Sequence, residues 1–445
     1  MPAEPVTHTL SFLEPGHFHA ALTLGARQAG VSDEIFVYAR PGAELDDFLA
    51  LVEAFNRRPG EPTAWRPILR TSDRPLDELI ADRPGEVAIL AGRNDRKMAA
   101  MRRLHDAGFH VLADKPWMAE ASGLDDLRHV MTGGPLAVEM MTGRHDVTSI
   151  LTGKLVRERD VFGDFDVGSG KPSIEISGVH HLEKTVNGRP LRRPPWYFDV
   201  RVQGDGLADI PTHMVDQAQQ LVAAASRGHA DAPPPLELLA ARTWPTLVPR
   251  DLFARVTGQS VFPAELSDMV KGDELAYRAN AEVTFRLGAV TAALDTRWDL
   301  SAPPGGGDTH RSVIRGTRAE ILVEQHEGTG FRRRLSLVPL RDGEGVRAAL
   351  TNAVAAWQAA HPGLDIVAAG ATCEIRLPRS LDVGHEAHFP LMLADFLALV
   401  DGRRMPMELA LATLAKYTLL AHASVAARRP SWPPAGRGTI PHGRR

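Results

Sequence analysis

In the first third of this chain, short apolar runs alternate with stretches of helical periodicity, and few folds accommodate that pattern. Thr7 to Leu13 reads as a strand, Pro15-Gly16 as a turn and His19 to Ala29 as a helix. Strands are predicted at Ile35 to Tyr38, Trp65 to Leu69, Glu86 to Leu90 and His110 to Ala113. Helices are predicted between them at Leu45 to Phe55, Leu76 to Ala81 and Asp95 to Ala107. Strands this short and apolar are buried on both faces, which calls for a parallel sheet covered by helices on each side. The expectation is an α/β domain of the Rossmann kind over 1–137.

Beyond that point the period changes. Val138 to Met141 looks like a boundary strand and Ile150 to Glu158 like a helix, and from Ser173 the residues alternate with period two. Further strand-like runs are Glu282 to Phe285, Ala292 to Trp298, Ala319 to Val323, Arg333 to Val338 and the stretch around Cys373. Helices are predicted at Leu381 to Leu399 and Met407 to Val425, the second packing back on the first domain. This describes an α+β domain over 138–427 with a large, mostly antiparallel open sheet. The Pro-, Gly- and Arg-rich residues 428–445 read as a loose tail, or as an arm reaching a second subunit.

A length of 445 residues favours two domains over one core. The formal charge is -4 with no long basic block, which gives no support for nucleic-acid binding. The opening residues carry no basic start or apolar run, and no uncharged apolar stretch of membrane-spanning length follows. A cytoplasmic protein without a membrane partner is expected. One cysteine, Cys373, excludes an internal disulfide and fits a reducing compartment.

Open parallel sheets bind ligands outside the carboxyl ends of their strands. Three loops lie there: Glu14-Pro15-Gly16-His17, continuing into Phe18; Ala91-Gly92-Arg93-Asn94; and Asp114-Lys115-Pro116. Gly16 would admit a pyrophosphate, but the full glycine pattern is missing, with Glu14, Pro15 and His19 in its place. Arg40, after the second strand, suits a 2'-phosphate and equally suits a solvated surface position. Lys115 sits where a substrate would meet a bound nicotinamide; its other reading is an Asp114–Lys115 pair capping a loop.

In the second half, Asp209 and His213 stand four apart at a helix opening and so share a face. An imidazole there suits abstraction of a hydroxyl proton, with Asp209 orienting it or contacting substrate. The alternative is an N-cap aspartate and a core histidine, which Gly204 and Gly206 weaken by allowing backbone and ligand to come close. Arg192, Trp196 and Tyr197 would suit a sugar, with interface packing as the competing explanation; His180 and His181 could line the substrate cleft or bind metal, with Lys184 a second cation there and Arg144 a further substrate candidate. Adjacent strand residues point to opposite faces, which argues against His180 and His181 sharing a metal. His385-Glu386-Ala387-His388 has the wrong spacing for a zinc helix, and no metal is expected.

At these residues the chain resembles the glucose-fructose oxidoreductase, inositol dehydrogenase and rhizopine-catabolism family over nearly its whole length. The family's glutamate-lysine-proline motif appears as Asp114-Lys115-Pro116, its aspartate-histidine motif as Asp209 and His213, and its cofactor-facing loop asparagine as Asn94. The Gly316-Thr317 pair resembles its C-terminal sheet, and the segments Val179-His180-His181 and Gln203 to Gly206 resemble a branch with its own C-terminal domain. The resemblance implies a dehydrogenase using NAD or NADP, NAD first, on a hydroxyl of a sugar, glycoside or cyclic polyol. Pro15, Gly16, His17, Phe18, Arg40, Gly92, Asn94, Asp114 and Lys115 would face the cofactor. Lys115, His213 and Asp209 would carry the chemistry, and a homodimer or homotetramer is expected. Two other outcomes fit the same residues: a glycoside-cleaving enzyme that oxidises a ring carbon transiently, and a non-catalytic sugar or nucleotide sensor.

Overall fold

The computed structural model describes residues 7–186, 189–226, 233–402 and 404–428. All of the predicted tail except Arg428 lies outside them.

The first sheet is parallel and six-stranded. Its strands are β1 (His8–Leu13), β2 (Val31–Ala39), β3 (Arg66–Thr71), β4 (Val87–Leu90), β5 (His110–Ala113) and β6 (Ala137–Glu139), in the order β3-β2-β1-β4-β5-β6. Every residue of β4 is buried, as expected of a central strand covered on both faces. The helices are α1 (His19–Leu22), α2 (Ala43–Arg57), α3 (Pro75–Asp82), α4 (Lys97–Asp106) and α5 (Leu124–Met131). The predicted eleven-residue first helix is a single turn. Leu24 and Gly25 close it with tight i→i−3 bonds to Ala21 and Leu22, and the Leu24 carbonyl then accepts from the Trp65 indole (2.8 Å) instead of continuing a helix.

The second sheet is mixed. Its strands are β7 (Ile174–Glu183), β10 (Leu236–Pro249), β11 (Val270–Lys271), β12 (Glu274–Leu287), β13 (Val290–Ser301), β14 (Thr309–Arg315), β15 (Ala319–Gln325), β16 (Arg334–Pro339), β17 (Asp365–Ala369) and β18 (Thr372–Arg376). The short pair β8 (Thr185–Val186) and β9 (Arg189–Pro190) stands apart. The main order is β10-β12-β13-β7-β14-β15-β16-β18-β17, parallel only between β13 and β7. Burial alternates along β13, so one face packs and the other meets solvent. The packed face is covered by α6 (Val147–Arg157), α7 (Arg159–Phe162), α9 (Pro211–Ser226) and α11 (Gly343–Trp357); α8 (Val200–Gln203) and α10 (Arg250–Thr257) lie toward the other end. β10 carries no expectation from the sequence, and Pro245 lies within it. As an edge strand it tolerates a proline.

The last two helices, α12 (His388–Gly402) and α13 (Met407–Ala427), both pack against the first domain, α13 through Leu414 and Tyr417. It is α12 that completes the core of the first sheet, through Phe389, Leu393, Phe396 and Val400. Burial of each phenylalanine contributes roughly 1.5–3 kcal/mol. α13 lies between the sheets and touches α5, α9 and β10. It is long and apolar enough to cross a membrane by length and composition, yet it carries Lys416 fully buried in a charge network.

Gly206 sets how the turn before α9 meets the large sheet. A Cβ there would lie 2.4 Å from the Ala279 carbonyl oxygen and 2.7 Å from that of Asn280. The close approach expected of this glycine is therefore to the β12 backbone and not to a ligand. Gly206→Ala is expected to cost about 1–3 kcal/mol or more in urea unfolding, because the obstacle is backbone.

Candidate active site

The carboxyl ends of β1, β4 and β5 face the large sheet across a cavity of about 1250 Å³. Lys115 and His213 both line it, one from each half of the molecule. Lys115 follows β5 directly. Its ammonium donates to the Asp209 carboxylate in a buried ion pair, with side-chain exposures of 9% and 6%. Burial pushes the Asp209 carboxyl up, but the Lys115 charge and hydrogen bond outweigh it and hold the group below its ordinary value.

That pairing corrects the expected role of Asp209. It lies in the turn before Pro211, not on the helix, and it neither caps α9 nor bonds His213. Its second oxygen accepts from the Tyr197 hydroxyl (3.4 Å). Asp209 and Tyr197 thus fix the lysine, while the His213 ring stands on α9 beside the cavity. Burial, then the charge of Lys115, lowers the His213 pKa well below 6.5, so the imidazole is neutral at pH 7.

Behind His213 lies a second buried set of charges. Arg144 grips Asp216 with two bonds (3.0 and 2.6 Å), and Lys416 reaches Asp216 (3.2 Å) and Glu139 (2.5 Å). The Tyr417 hydroxyl donates to Glu139 and accepts from the Trp117 backbone N–H (2.8 Å). Arg144 borders the cavity, but its guanidinium is engaged by Asp216.

On the far wall, Asp308 gathers His180 (3.1 Å), His181 (ring 3.3 Å, backbone N–H 3.1 Å) and Lys184. Thr309 pairs with Val179, which brings Asp308 level with His180 and between the two rings. The two histidines therefore converge on one carboxylate, although strand alternation alone would separate them. Burial raises the Asp308 carboxyl, yet these hydrogen bonds hold it far below the usual range. His180, Lys184 and Tyr197 line the cavity; His181 lies behind them.

Arg192 and Trp196 are not brought to this cavity. The Arg192 guanidinium lies beside Gly258. Trp196 donates to Glu44 (2.8 Å) under the Arg93 guanidinium (5.6 Å), at the outer edge of the β1 loop. The neighbour of Arg192 is the participating residue: Arg193 stacks on Tyr197 (4.4 Å) and Trp298 (5.1 Å). Arg193, Asp308, Lys97 and Asp216 all escape sequence reasoning. The Arg-Arg pair at 192–193 was the one local signal for them.

At the loops expected to hold a dinucleotide, His17, Phe18, Gly92, Asn94, Asp114 and Lys115 line the cavity, whereas Pro15, Gly16 and Arg40 do not. Arg40 is held by Glu14 and the Asp73 carbonyl (3.1 Å). Glu14 has φ +43°, the left-handed backbone that a glycine would ordinarily supply there. Asn94 is engaged by Gln203 (3.0 Å) and Lys97 (2.6 Å), so it ties the halves together instead of standing free. The test of fit is Gly16. The nearest atoms to where its Cβ would be belong to the end of the Glu44 side chain, and the Gly16 and His17 N–H groups donate to the Glu14 and Ala91 carbonyls (2.7 and 3.0 Å). A phosphate there would have to displace these contacts, whereas the cavity lined by His17, Phe18 and Gly92 fits a dinucleotide.

A parallel strand-and-helix domain joined to a large open sheet, with a lysine and a histidine on one cavity between them, defines a two-domain oxidoreductase. The chain belongs to the glucose-fructose oxidoreductase, inositol dehydrogenase and rhizopine-catabolism family, in the branch with a distinct C-terminal domain. Residues 151–428 match the family described as "Putative oxidoreductase C terminal domain". A solved "putative oxidoreductase" from Parabacteroides merdae is 32% identical, with 95% of this chain and 98% of that chain covered and a TM-score of 0.90. Levoglucosan dehydrogenase, solved with NADH and levoglucosan, is 15% identical over 95% of this chain and 96% of that chain (TM-score 0.58). KijD10, a 3-ketoreductase from Actinomadura kijaniata solved with NADP, is 13% identical over 94% and 97% (TM-score 0.54). These last two share the fold. No match was found among curated proteins.

Proposed function

We propose that the protein is an NAD(P)-dependent dehydrogenase acting on a hydroxyl of a sugar, glycoside or cyclic polyol. The observation that carries this reading is the presence of Lys115 and His213, from separate halves, on one cavity at the strand ends. The substrates and cofactors of the levoglucosan dehydrogenase and KijD10 structures support it. When bound, the nicotinamide supplies a hydride acceptor. His213, neutral at pH 7, accepts the substrate hydroxyl proton. The Lys115 ammonium, steadied by Asp209, stabilises the oxygen as negative charge develops. His17, Phe18 and Gly92 would hold the dinucleotide. NAD is the first candidate, because a 2'-phosphate would have to displace Glu14 from Arg40.

Native mass spectrometry of fresh protein, looking for retained NAD(H) or NADP(H), followed by hydride-transfer assays on polyols and glycosides, tests the reading. His213→Ala is expected to lower kcat/KM about 10²–10⁴-fold while dinucleotide binding survives. Since burial and Lys115 depress the His213 pKa, the acid limb of kcat/KM should lie below pH 6.5. Unchanged turnover in His213→Ala would remove the histidine from the mechanism.

A second reading, redox-neutral glycoside cleavage, would use the same Lys115, Asp209 and His213. Release of free aglycone without net reduced cofactor would distinguish it.

A further inference from the structure

We propose that His17, His19 and Asp114 form a binding site for a divalent transition-metal ion, with zinc the best match. The two histidines flank Phe18 on the loop after β1, and Asp114 follows β5. Nδ1 of His17 and Nδ1 of His19 approach the same atom, Oδ2 of Asp114, at 3.4 and 3.3 Å. The three donor atoms lie within 4.8 Å of one another. Ligands about 2.0–2.1 Å from a tetrahedral ion are about 3.3–3.4 Å apart, and both separations match that edge.

The local chemistry agrees. Nδ1 of His17 is buried, makes no hydrogen bond, and faces the Asp114 carboxylate that His19 also contacts. The other Asp114 oxygen is taken by Lys97, which also bonds Asn94 (2.6 Å) and the Pro116 carbonyl (3.2 Å). Lys97 therefore fixes the carboxylate in the manner of an outer-shell partner. Three protein ligands bordering a cavity leave a fourth corner for water or a substrate oxygen, the arrangement of a reactive site more than a structural one.

A second trio among the described residues, His105, Asp106 and His129, has different spacing. His129 lies 2.6 Å from Asp106, closer than two ligands of one ion, and His105 lies 3.8 Å away. It is a hydrogen-bonded pair with a neighbour and serves as the control.

The test uses the full chain, stripped with a chelator and free of dinucleotide, so its outcome is independent of the dehydrogenase reading. Co²⁺ alone is titrated in while its visible absorption is followed, and Zn²⁺ is then added to displace it. One ion per chain with the intense absorption of tetrahedral Co²⁺ is expected. His17→Gln should weaken binding by more than the roughly 10–100-fold typical of losing an outer-shell partner, and His129→Gln should leave it unchanged. His17 gives up no side-chain hydrogen bond on replacement, and a thermal melt checks its fold; His19→Gln is the second variant. Absence of saturable binding, or binding kept in both His17→Gln and His19→Gln, overturns the site.

Discussion

Lys115→Met should abolish most turnover and destabilise the protein, and one companion substitution should separate the two effects. The methionine leaves Asp209 buried with only the Tyr197 hydroxyl as a side-chain partner. Breaking a buried pair by removing one member costs about 3–5 kcal/mol, because the remaining charge is uncompensated. Without Lys115 the Asp209 carboxyl, now held low by that charge, rises under the influence of burial and takes up a proton more readily. In Lys115→Met/Asp209→Asn no charge is stranded, so urea unfolding should recover most of the loss. Turnover should stay about 10²–10⁴-fold down, since no ammonium faces the reacting oxygen. Recovery of turnover in the double variant would show that Lys115 acts only as a structural counter-ion.

The second large effect is expected at Lys416, on the helix between the sheets. Its ammonium is fully buried and shared by Glu139 of the first sheet and Asp216 of α9. Lys416→Met strands Glu139, whereas Asp216 keeps Arg144. A loss of about 3–5 kcal/mol in urea unfolding is predicted. Adding Glu139→Gln should restore much of it, and Asp216→Asn much less. Equal rescue by both would mean that Arg144 does not hold Asp216 independently.

The parts legible in the sequence were those encoded by local period and local chemistry. The strand-helix alternation of the first half gave the parallel sheet, and the alternating runs after Ser173 gave most of the second. Lys115 at a strand end and His213 near a helix opening were readable because each is a reactive side chain at an element boundary. The partners were not readable. Asp209 looked like a companion of His213 because four residues separate them, but the chain turns at Pro211 and sends the carboxylate to Lys115. Asp308 lies 128 residues from His180, and only strand pairing brings them together. A helix over Leu381–Leu399 is legible, although α12 starts only at His388, and nothing in its sequence says which sheet it covers. Spacing of two between His17 and His19 carries no signal until β5 places Asp114 against both rings.

The Glu44 carboxylate rests against Gly16, and the indole that anchors it, Trp196, belongs to the other half of the protein. Arg93, which clasps Glu44 at 3.1 Å, comes from a third loop. A strap made from three separate segments crosses the seam where a dinucleotide would lie. Bringing a dinucleotide in beside Gly16 would mean unfastening this contact between the halves.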